Sequence, residues 1–214
     1  MADLEGMAVA LIKGQREVVK SKVQEALEEG VKPETILNEG LIPGMSVVGE
    51  RFRRSLIYVP EVLISARAMK AGMAILEPLL TASGVQPIGK IVMGTVKGDM
   101  HDIGKNLVGM MLQGGGFEVI DLGTDVSAER FIAALREHDA PLLGMSALLT
   151  TTMPYMAKVI EALKEQGLRV RTLVGGAPVS QRFADDIGAD GYAPDAATAV
   201  DLAQRLLAAA VNAA

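Results

Sequence analysis

The chain has 214 residues and no Cys, which excludes disulfides and thiolate metal sites. Its formal net charge is −5 and it has no basic block, so neither nucleic acid nor an anionic membrane is favoured as a partner. Its first residues are acidic where a signal peptide is basic, and no apolar run reaches the roughly 18 residues of a membrane span. We therefore expect a cytoplasmic protein that binds neither nucleic acid nor membrane.

The first 83 residues predict helices. Apolar residues recur every three or four positions over 18–27, over 41–54 and after Pro60, with a short segment at 33–38. The last of these patterns has one apolar face, made of Val62, Leu63, Ala66, Met69, Met73, Leu76 and Leu80. About four helices with short connections predict a small bundle over residues 1–83.

Residues 84–89 contain Gly and Pro without any period and are predicted to be a linker. Beyond them, short β-rich runs alternate with helical patterns. The predicted strands are Lys90–Thr95, Phe117–Asp121, Leu142–Met145, Arg171–Val174 and Asp190–Ala193. The predicted helices are 103–113, 127–137, 152–166, 180–187 and 195–210. This alternation predicts an α/β domain over 90–214, with a flavodoxin-like (Rossmann-type) five-stranded parallel sheet of strand order 2-1-3-4-5.

The loop after the first strand carries one His between two Asp, with Gly at both edges, over residues 98–106. A phosphate-binding loop is disfavoured because five residues separate Gly98 from Gly104, Asn106 follows the Lys, and two carboxylates would repel phosphate. A zinc or iron site is disfavoured because His138 is the only other His and there is no Cys. A surface His in a helix-capping turn remains open on this loop alone.

Two further loops end at the same predicted edge of the sheet. Ser146-Ala147-Leu148 follows the third strand, and Gly175-Gly176 follows the fourth. A Gly-Gly turn or a run of hydroxyls is weak evidence by itself. The combination D-x-H-x-x-G, S-x-L and G-G on three strands of one sheet predicts a shared ligand site.

These motifs resemble the B12-binding domain of cobalamin-dependent methionine synthase, B12-dependent mutases and the corrinoid proteins of methyltransferase systems. The strings GDMHDIGKNLV, SALLTTTM, VGGAPV and IGADGYAPDA are similar to the methanol and methylamine corrinoid proteins in particular. Residues 1–83 also resemble the helical bundle that caps the corrinoid in methionine synthase, most closely from Tyr58 to Lys70.

The resemblance implies that the chain binds cobalamin or a related corrinoid in the base-off/His-on form, with His101 as the lower axial ligand of cobalt. It implies a proton relay of His101, Asp99 and Ser146. The other residues that it assigns to cofactor binding are Gly98, Met100, Asp102, Ile103, Gly104, Leu148, Thr150, Gly175, Gly176, Tyr192 and, on the cap, Tyr58. Imidazole is a suitable ligand for cobalt, and metal-bound His commonly donates its second ring N–H to a carboxylate.

The function that the resemblance implies is that of a methyl carrier without activity of its own. It would accept a methyl group on Co(I) from a donor methyltransferase of methanol, methylamine, betaine or methyl ether type. It would deliver the group as methyl-Co(III) to a second methyltransferase that acts on a thiol or tetrahydrofolate, and a reductive activase would be a further partner. Two alternatives stay open, namely a B12-dependent sensor or regulator and the small subunit of a mutase.

Overall fold

A computed structural model describes residues 2–84 and 86–211 of the chain. Met1, Val85 and residues 212–214, which fall within the predicted domain ranges, lie outside the described residues. The chain divides into two compact units, one up to Pro87 that also takes in Gly114–Gly116, and one made of the rest. None of the described helices is long and apolar enough to cross a membrane. The ranges 1–83, 84–89 and 90–214 stay predictions.

The first unit consists of helices packed side by side. They are α1 (Leu4–Ile12), α2 (Arg16–Glu28), the single turn α3 (Pro33–Thr35), a π-helical segment (Ile36–Leu41), α4 (Ile42–Arg53) and α5 (Val59–Ala82). Helix α5 packs chiefly against α2, and its buried face includes Val62, Ala66, Met69, Leu76 and Leu80. This is the apolar face that the 3.6-residue period predicts.

The second unit alternates strands with helices. The strands are β1 (Lys90–Thr95), β2 (Glu118–Asp121), β3 (Leu142–Ser146), β4 (Arg171–Gly175) and β5 (Gly191–Ala193). The helices are α6 (Ile103–Gly114), α7 (Ala128–His138), α8 (Tyr155–Glu165), α9 (Gln181–Ile187) and α10 (Ala196–Val211). The sheet is fully parallel, with the order β2-β1-β3-β4-β5, which confirms the predicted fold class.

Both faces of the sheet are covered by apolar clusters. Successive strand residues belong to different clusters, because alternate side chains point to opposite sides of a sheet. Ile91 and Leu142 belong to one apolar cluster, while Val92 and Leu143 belong to the other. The second cluster includes Phe131 of α7, which is fully buried. A sheet packed on both faces leaves its strand ends as the place where loops can present polar side chains.

Strand β1 lies close to Phe131 at Gly94. A Cβ built on Gly94 would lie 2.7 Å from the Phe131 ring and 2.9 Å from Val126 Cγ2. Such distances require the neighbours to move. Gly94 therefore lets α7 pack closely against the strand that leads to the His101 loop.

We expect Gly94→Ala to lower the free energy of unfolding by about 1–3 kcal/mol, because the added methyl overpacks a fully buried ring. Gly109→Ala, on α6, is the matched control, since its Cβ would meet nothing closer than 3.8 Å. It should stabilise the protein by about 0.5–1 kcal/mol through helix propensity. Denaturant unfolding followed by circular dichroism measures both, and equal effects of the two variants would contradict the packing explanation.

Candidate functional site

The register of the sheet brings the predicted motif residues to one edge. Thr95 of β1 pairs with Ser146 of β3, Ser146 pairs with Gly175 of β4, and Gly175 pairs with Ala193 of β5. Each of the first three residues ends its strand. The loops after β1, β3 and β4 therefore leave the sheet side by side, at the edge where parallel α/β sheets bind ligands.

Asp99 is the centre of this edge, and its side chain is completely buried. Its Oδ1 accepts a hydrogen bond from the backbone N–H of His101 (3.1 Å) and lies 3.0 Å from His101 Nδ1. Its Oδ2 accepts from the Thr152 hydroxyl (2.7 Å) and from the backbone N–H groups of Leu148 (2.8 Å) and Leu149 (3.3 Å). One carboxylate thus joins the loop after β1 to the loop after β3.

Burial raises the pKa of Asp99, but the hydrogen bonds from Thr152, Leu148 and His101 together outweigh it and hold that pKa well below its usual range. An ionised carboxylate only accepts hydrogen bonds, so His101 Nδ1 carries the proton of this contact. Nε2 then presents its lone pair. This atom has no hydrogen-bond partner within residues 2–84 and 86–211, and the side chain is 52% exposed. The arrangement suits a metal ligand with a fixed tautomer.

Exposed apolar side chains lie on the loop that carries His101 and on the loop after β3. Met100 is 70% exposed and Ile103 is 78% exposed, and Leu148 and Leu149 are also exposed. A Cβ on Gly104 would meet no atom within 4 Å, so the first turn of α6 is open as well. An imidazole within an open apolar surface fits a large, mostly apolar macrocycle with a metal at its centre.

Thr152 is a residue that the sequence analysis missed as a partner of Asp99. Its single hydroxyl proton has two acceptors in reach, Asp99 Oδ2 at 2.7 Å and the Leu149 carbonyl at 3.0 Å, and the charged one is closer. The family resemblance implies the relay position for Ser146, whose hydroxyl makes no hydrogen bond within the described part of the chain. The hydroxyl run 150–152 is the available signal, but Thr152 also begins the predicted helix 152–166. The role of Ser146 stays a prediction.

Gly175 and Gly176 let the loop after β4 approach its neighbours closely. A Cβ on Gly176 would lie 1.8 Å from the Ala147 carbonyl oxygen, and Gly176 has a φ of +126°. A Cβ on Gly175 would lie 3.0 Å from the Ala193 carbonyl oxygen. Neighbouring backbone therefore requires glycine at 176 and leaves little room for a Cβ at 175, whether or not a ligand binds there. Their contact with a cofactor stays a prediction.

The remaining predicted residues of the α/β unit lie on its loops. The N–H of Gly98 donates to Asp125 Oδ1 at 2.7 Å, and Asp102 Oδ2 accepts from Asn106 Nδ2 at 3.0 Å at the start of α6. Thr150 is exposed, and Tyr192 is half-buried against one of the two apolar clusters.

Tyr58 belongs to the helical unit and is 66% exposed. It precedes α5, where its backbone N–H donates to Glu61 Oε2 at 3.1 Å. Ala68 and Met69, on the same helix, are buried within the unit. The predicted contact of Tyr58 with a cofactor stays a prediction.

Lys105 is buried, and its environment explains why the phosphate-binding reading fails. Its Nζ donates to Asp121 Oδ1 at 2.6 Å and to Asn106 Oδ1 at 2.7 Å. The cation thus fixes the first turn of α6 to the end of β2, and its charge is matched by a carboxylate of the chain.

Residues 89–201 match the protein family described as B12 binding domain, and residues 3–77 match a second family with the same description. A corrinoid protein of Desulfitobacterium hafniense is 46% identical over 97% of this chain and 98% of its own length. Dimethylamine corrinoid protein 3 of Methanosarcina acetivorans is 48% identical over 97% of this chain and all of its own length.

Two solved structures share the fold across nearly the whole chain. The methanol:cobalamin methyltransferase complex MtaBC from Methanosarcina barkeri is 34% identical with a TM-score of 0.84, covering 94% of this chain and 78% of that one. A cobalamin-binding protein from Desulfitobacterium hafniense is 30% identical with a TM-score of 0.80, covering 96% and 99%.

The fold and the family matches define a B12-binding protein. Two corrinoid proteins that are more than 40% identical match over nearly their full length, so the family can be given more specifically than as B12-binding proteins. The chain belongs to the corrinoid proteins of methyltransferase systems.

We expect Thr152→Val to lower the free energy of unfolding of the cofactor-free protein by about 1.5–3 kcal/mol, because it removes a hydrogen bond to a buried charge. Thr152→Ser should restore most of the loss. Ser146→Ala, the matched control, should change stability by less than about 0.5 kcal/mol. Denaturant unfolding compares the three variants. A loss for Ser146→Ala as large as that for Thr152→Val would show that the wrong hydroxyl has been assigned to Asp99.

Proposed function

We propose that this chain is a corrinoid-dependent methyl carrier. It takes a methyl group from a donor methyltransferase and hands it to a second methyltransferase that acts on a thiol or tetrahydrofolate. The observation that carries the proposal is the buried Asp99 carboxylate, which holds Nδ1 of an exposed His101 at 3.0 Å and leaves Nε2 available. Relatives named as dimethylamine corrinoid proteins support the same role.

His101 Nε2 is the atom that would bind cobalt, in the base-off/His-on form. When bound, the corrinoid supplies a cobalt centre that accepts and releases a methyl group. The protein's part is to fix the imidazole: Asp99 keeps the proton on Nδ1, and a ligand hydrogen-bonded to an anion is a stronger donor to a metal. The apolar surface of Met100, Ile103 and Leu148 would exclude water from beneath the macrocycle.

The same pair would give a place for a proton whenever His101 Nε2 is not bound to a metal. Nε2 can then bind a proton, and the resulting imidazolium lies against the ionised Asp99. Thr152 and the backbone N–H groups of Leu148 and Leu149 keep that carboxylate charged and in place. His101 Nε2 could therefore take up a proton without the help of another basic group of the chain.

The loops beside this pair offer a position for the displaced nucleotide tail of the cofactor. Ser146 and Gly175 are register partners, and Leu148 and Thr150 are exposed in the loop that follows Ser146. We assign these residues, with Gly176 and Tyr192, to the side of the site that receives the tail. Tyr58, in the helical unit, is also assigned to cofactor binding, as the resemblance implies.

The partners that fit this role are a substrate-specific donor methyltransferase, an acceptor methyltransferase and a reductive activase. Among donors, a dimethylamine methyltransferase is favoured, since the monomethylamine corrinoid protein of Methanosarcina barkeri is 35% identical to this chain, close to the value for the methanol system. The dimethylamine corrinoid proteins are 43–50% identical to this chain, compared with 34% for the methanol system.

His101→Ala should change the absorption spectrum of the protein after reconstitution with hydroxocobalamin, because the nitrogen ligand from the protein is lost. His138→Ala is the matched control, since these are the chain's two histidines and His138 ends α7. Its spectrum should equal that of the wild type. If both variants bind cobalamin with the wild-type spectrum, or if no variant binds it, the proposed ligand is wrong.

Methyl transfer tests the carrier role directly. The reconstituted and reduced protein should be methylated in the presence of a dimethylamine methyltransferase and dimethylamine. The absorption spectrum of the protein should change, and mass spectrometry should show conversion of dimethylamine to monomethylamine. Parallel assays use methanol, glycine betaine and an aryl methyl ether with their own methyltransferases. Failure with the whole panel, in a protein that binds cobalamin through His101, would contradict the carrier role and leave the cofactor site standing.

A further inference from the structure

Two residues outside the motifs hold the backbone of the loop that carries Asp99 and His101. Thr95, the last residue of β1, is fully buried, and its hydroxyl donates to the carbonyl oxygen of His101 at 2.8 Å. Asp125, in the loop between β2 and α7, accepts from the N–H of Gly98 at 2.7 Å through Oδ1. The N–H of Asp125 also donates to the carbonyl oxygen of Asp99 at 3.0 Å.

These contacts extend the pairing of β1 beyond the sheet. The N–H of Thr95 donates to the Gly123 carbonyl at 2.9 Å, and the N–H of Val126 donates to the Thr95 carbonyl at 3.0 Å. Val96 and Val126 form a parallel bridge. The loop after β2 therefore runs beside residues 95–99, and Asp125 closes the last two hydrogen bonds of this ladder.

The conformation of Asp125 is unusual for a residue with a side chain. Its φ is +53°, in the left-handed region that Asp tolerates better than most residues. In this conformation its N–H and its carboxylate reach neighbouring backbone groups of the same loop, the Asp99 carbonyl and the Gly98 N–H. An exposed carboxylate alone would gain little from one such bond, but the pair fixes the loop on both sides of the peptide before Asp99.

We propose that Thr95 and Asp125 are positioning residues for His101 as the metal ligand. This proposal rests on the proposed function. Thr95 fixes the His101 end of the loop, and Asp125 fixes the Gly98 end. Because the chain itself supplies these hydrogen bonds, Nε2 needs little reordering to reach the metal, and less binding free energy is lost in ordering the site. Neither residue touches the cofactor in this role.

The test compares variants of the full chain that remove or keep each hydrogen bond. Thr95→Val removes the hydroxyl, and Thr95→Ser keeps it. Asp125→Ala removes the carboxylate and disfavours the left-handed backbone, Asp125→Gly removes only the carboxylate, and Asp125→Asn keeps an acceptor and tolerates the backbone. Asp139→Ala is the control for backbone strain alone, since Asp139 has a φ of +48° at the end of α7.

The measurement is electron paramagnetic resonance of bound cobalamin in the Co(II) state, using protein uniformly labelled with the heavy stable isotope of nitrogen. Coupling to a labelled protein nitrogen gives doublet splitting, whereas the cofactor's own unlabelled base gives triplet splitting. We expect doublet splitting for the wild type, Thr95→Ser, Asp125→Asn and Asp139→Ala. Thr95→Val, Asp125→Ala and Asp125→Gly should lose part of the doublet and bind cobalamin about 10–100-fold more weakly.

The outcomes separate this inference from the proposed function. A wild type without doublet splitting overturns the His101 ligand itself. A wild-type doublet that persists undiminished in Thr95→Val and in Asp125→Gly overturns the positioning role. Loss in Asp125→Ala with retention in Asp125→Gly overturns the role of the carboxylate, because backbone conformation alone would then explain the effect. If Thr95→Val does not fold, the Asp125 series decides the result.

Discussion

The buried carboxylate of Asp99 sets the requirements for the rest of the site. A carboxylate removed from water is costly unless its oxygens are paired, and here five donor groups of the chain surround it. Two belong to His101 and the others to the segment 148–152 after β3. The charge can therefore be buried without a large cost only when the loops after β1 and β3 are both folded around it. The same charge fixes the tautomer of the imidazole, so the fold of the loops and the chemistry of the ligand depend on one interaction.

The sheet could be predicted because each strand and helix is indicated by the sequence pattern of its own short segment. Short apolar runs separated by helical periods define β-α units, and chain length then favours the order that the structure has. Since β1 and β3 pair directly and in parallel, their C-terminal ends meet, and Thr95 comes to lie beside Ser146. For this reason the sequence alone predicts that the motif residues of separate segments lie at one edge.

The partners of Asp99 could not be predicted in full, because they depend on turn geometry. Helical periodicity placed the start of α8 at 152, whereas the helix begins at Tyr155 after a turn that contains Pro154. In that turn the Thr152 hydroxyl reaches a carboxylate 53 residues earlier in the chain. Gly176 is a second example. Its proximity to the Ala147 carbonyl depends on how the loop crosses the end of β3, which no spacing in the sequence reveals.

Some residues of the site can be recognised from a sequence motif, whereas others can be recognised only from their contacts in the structure. His101 and Asp99 stand out because few ordinary turns contain such a pair between glycines. Thr95 and Asp125 look ordinary, as a Thr at the end of a strand and an Asp in a loop, and their function follows only from the backbone groups they contact. A ligand loop with several exposed polar and apolar side chains cannot hold its own shape by burial. Its order must come from hydrogen bonds supplied by neighbouring elements, and those neighbours are as necessary to the site as the motif itself.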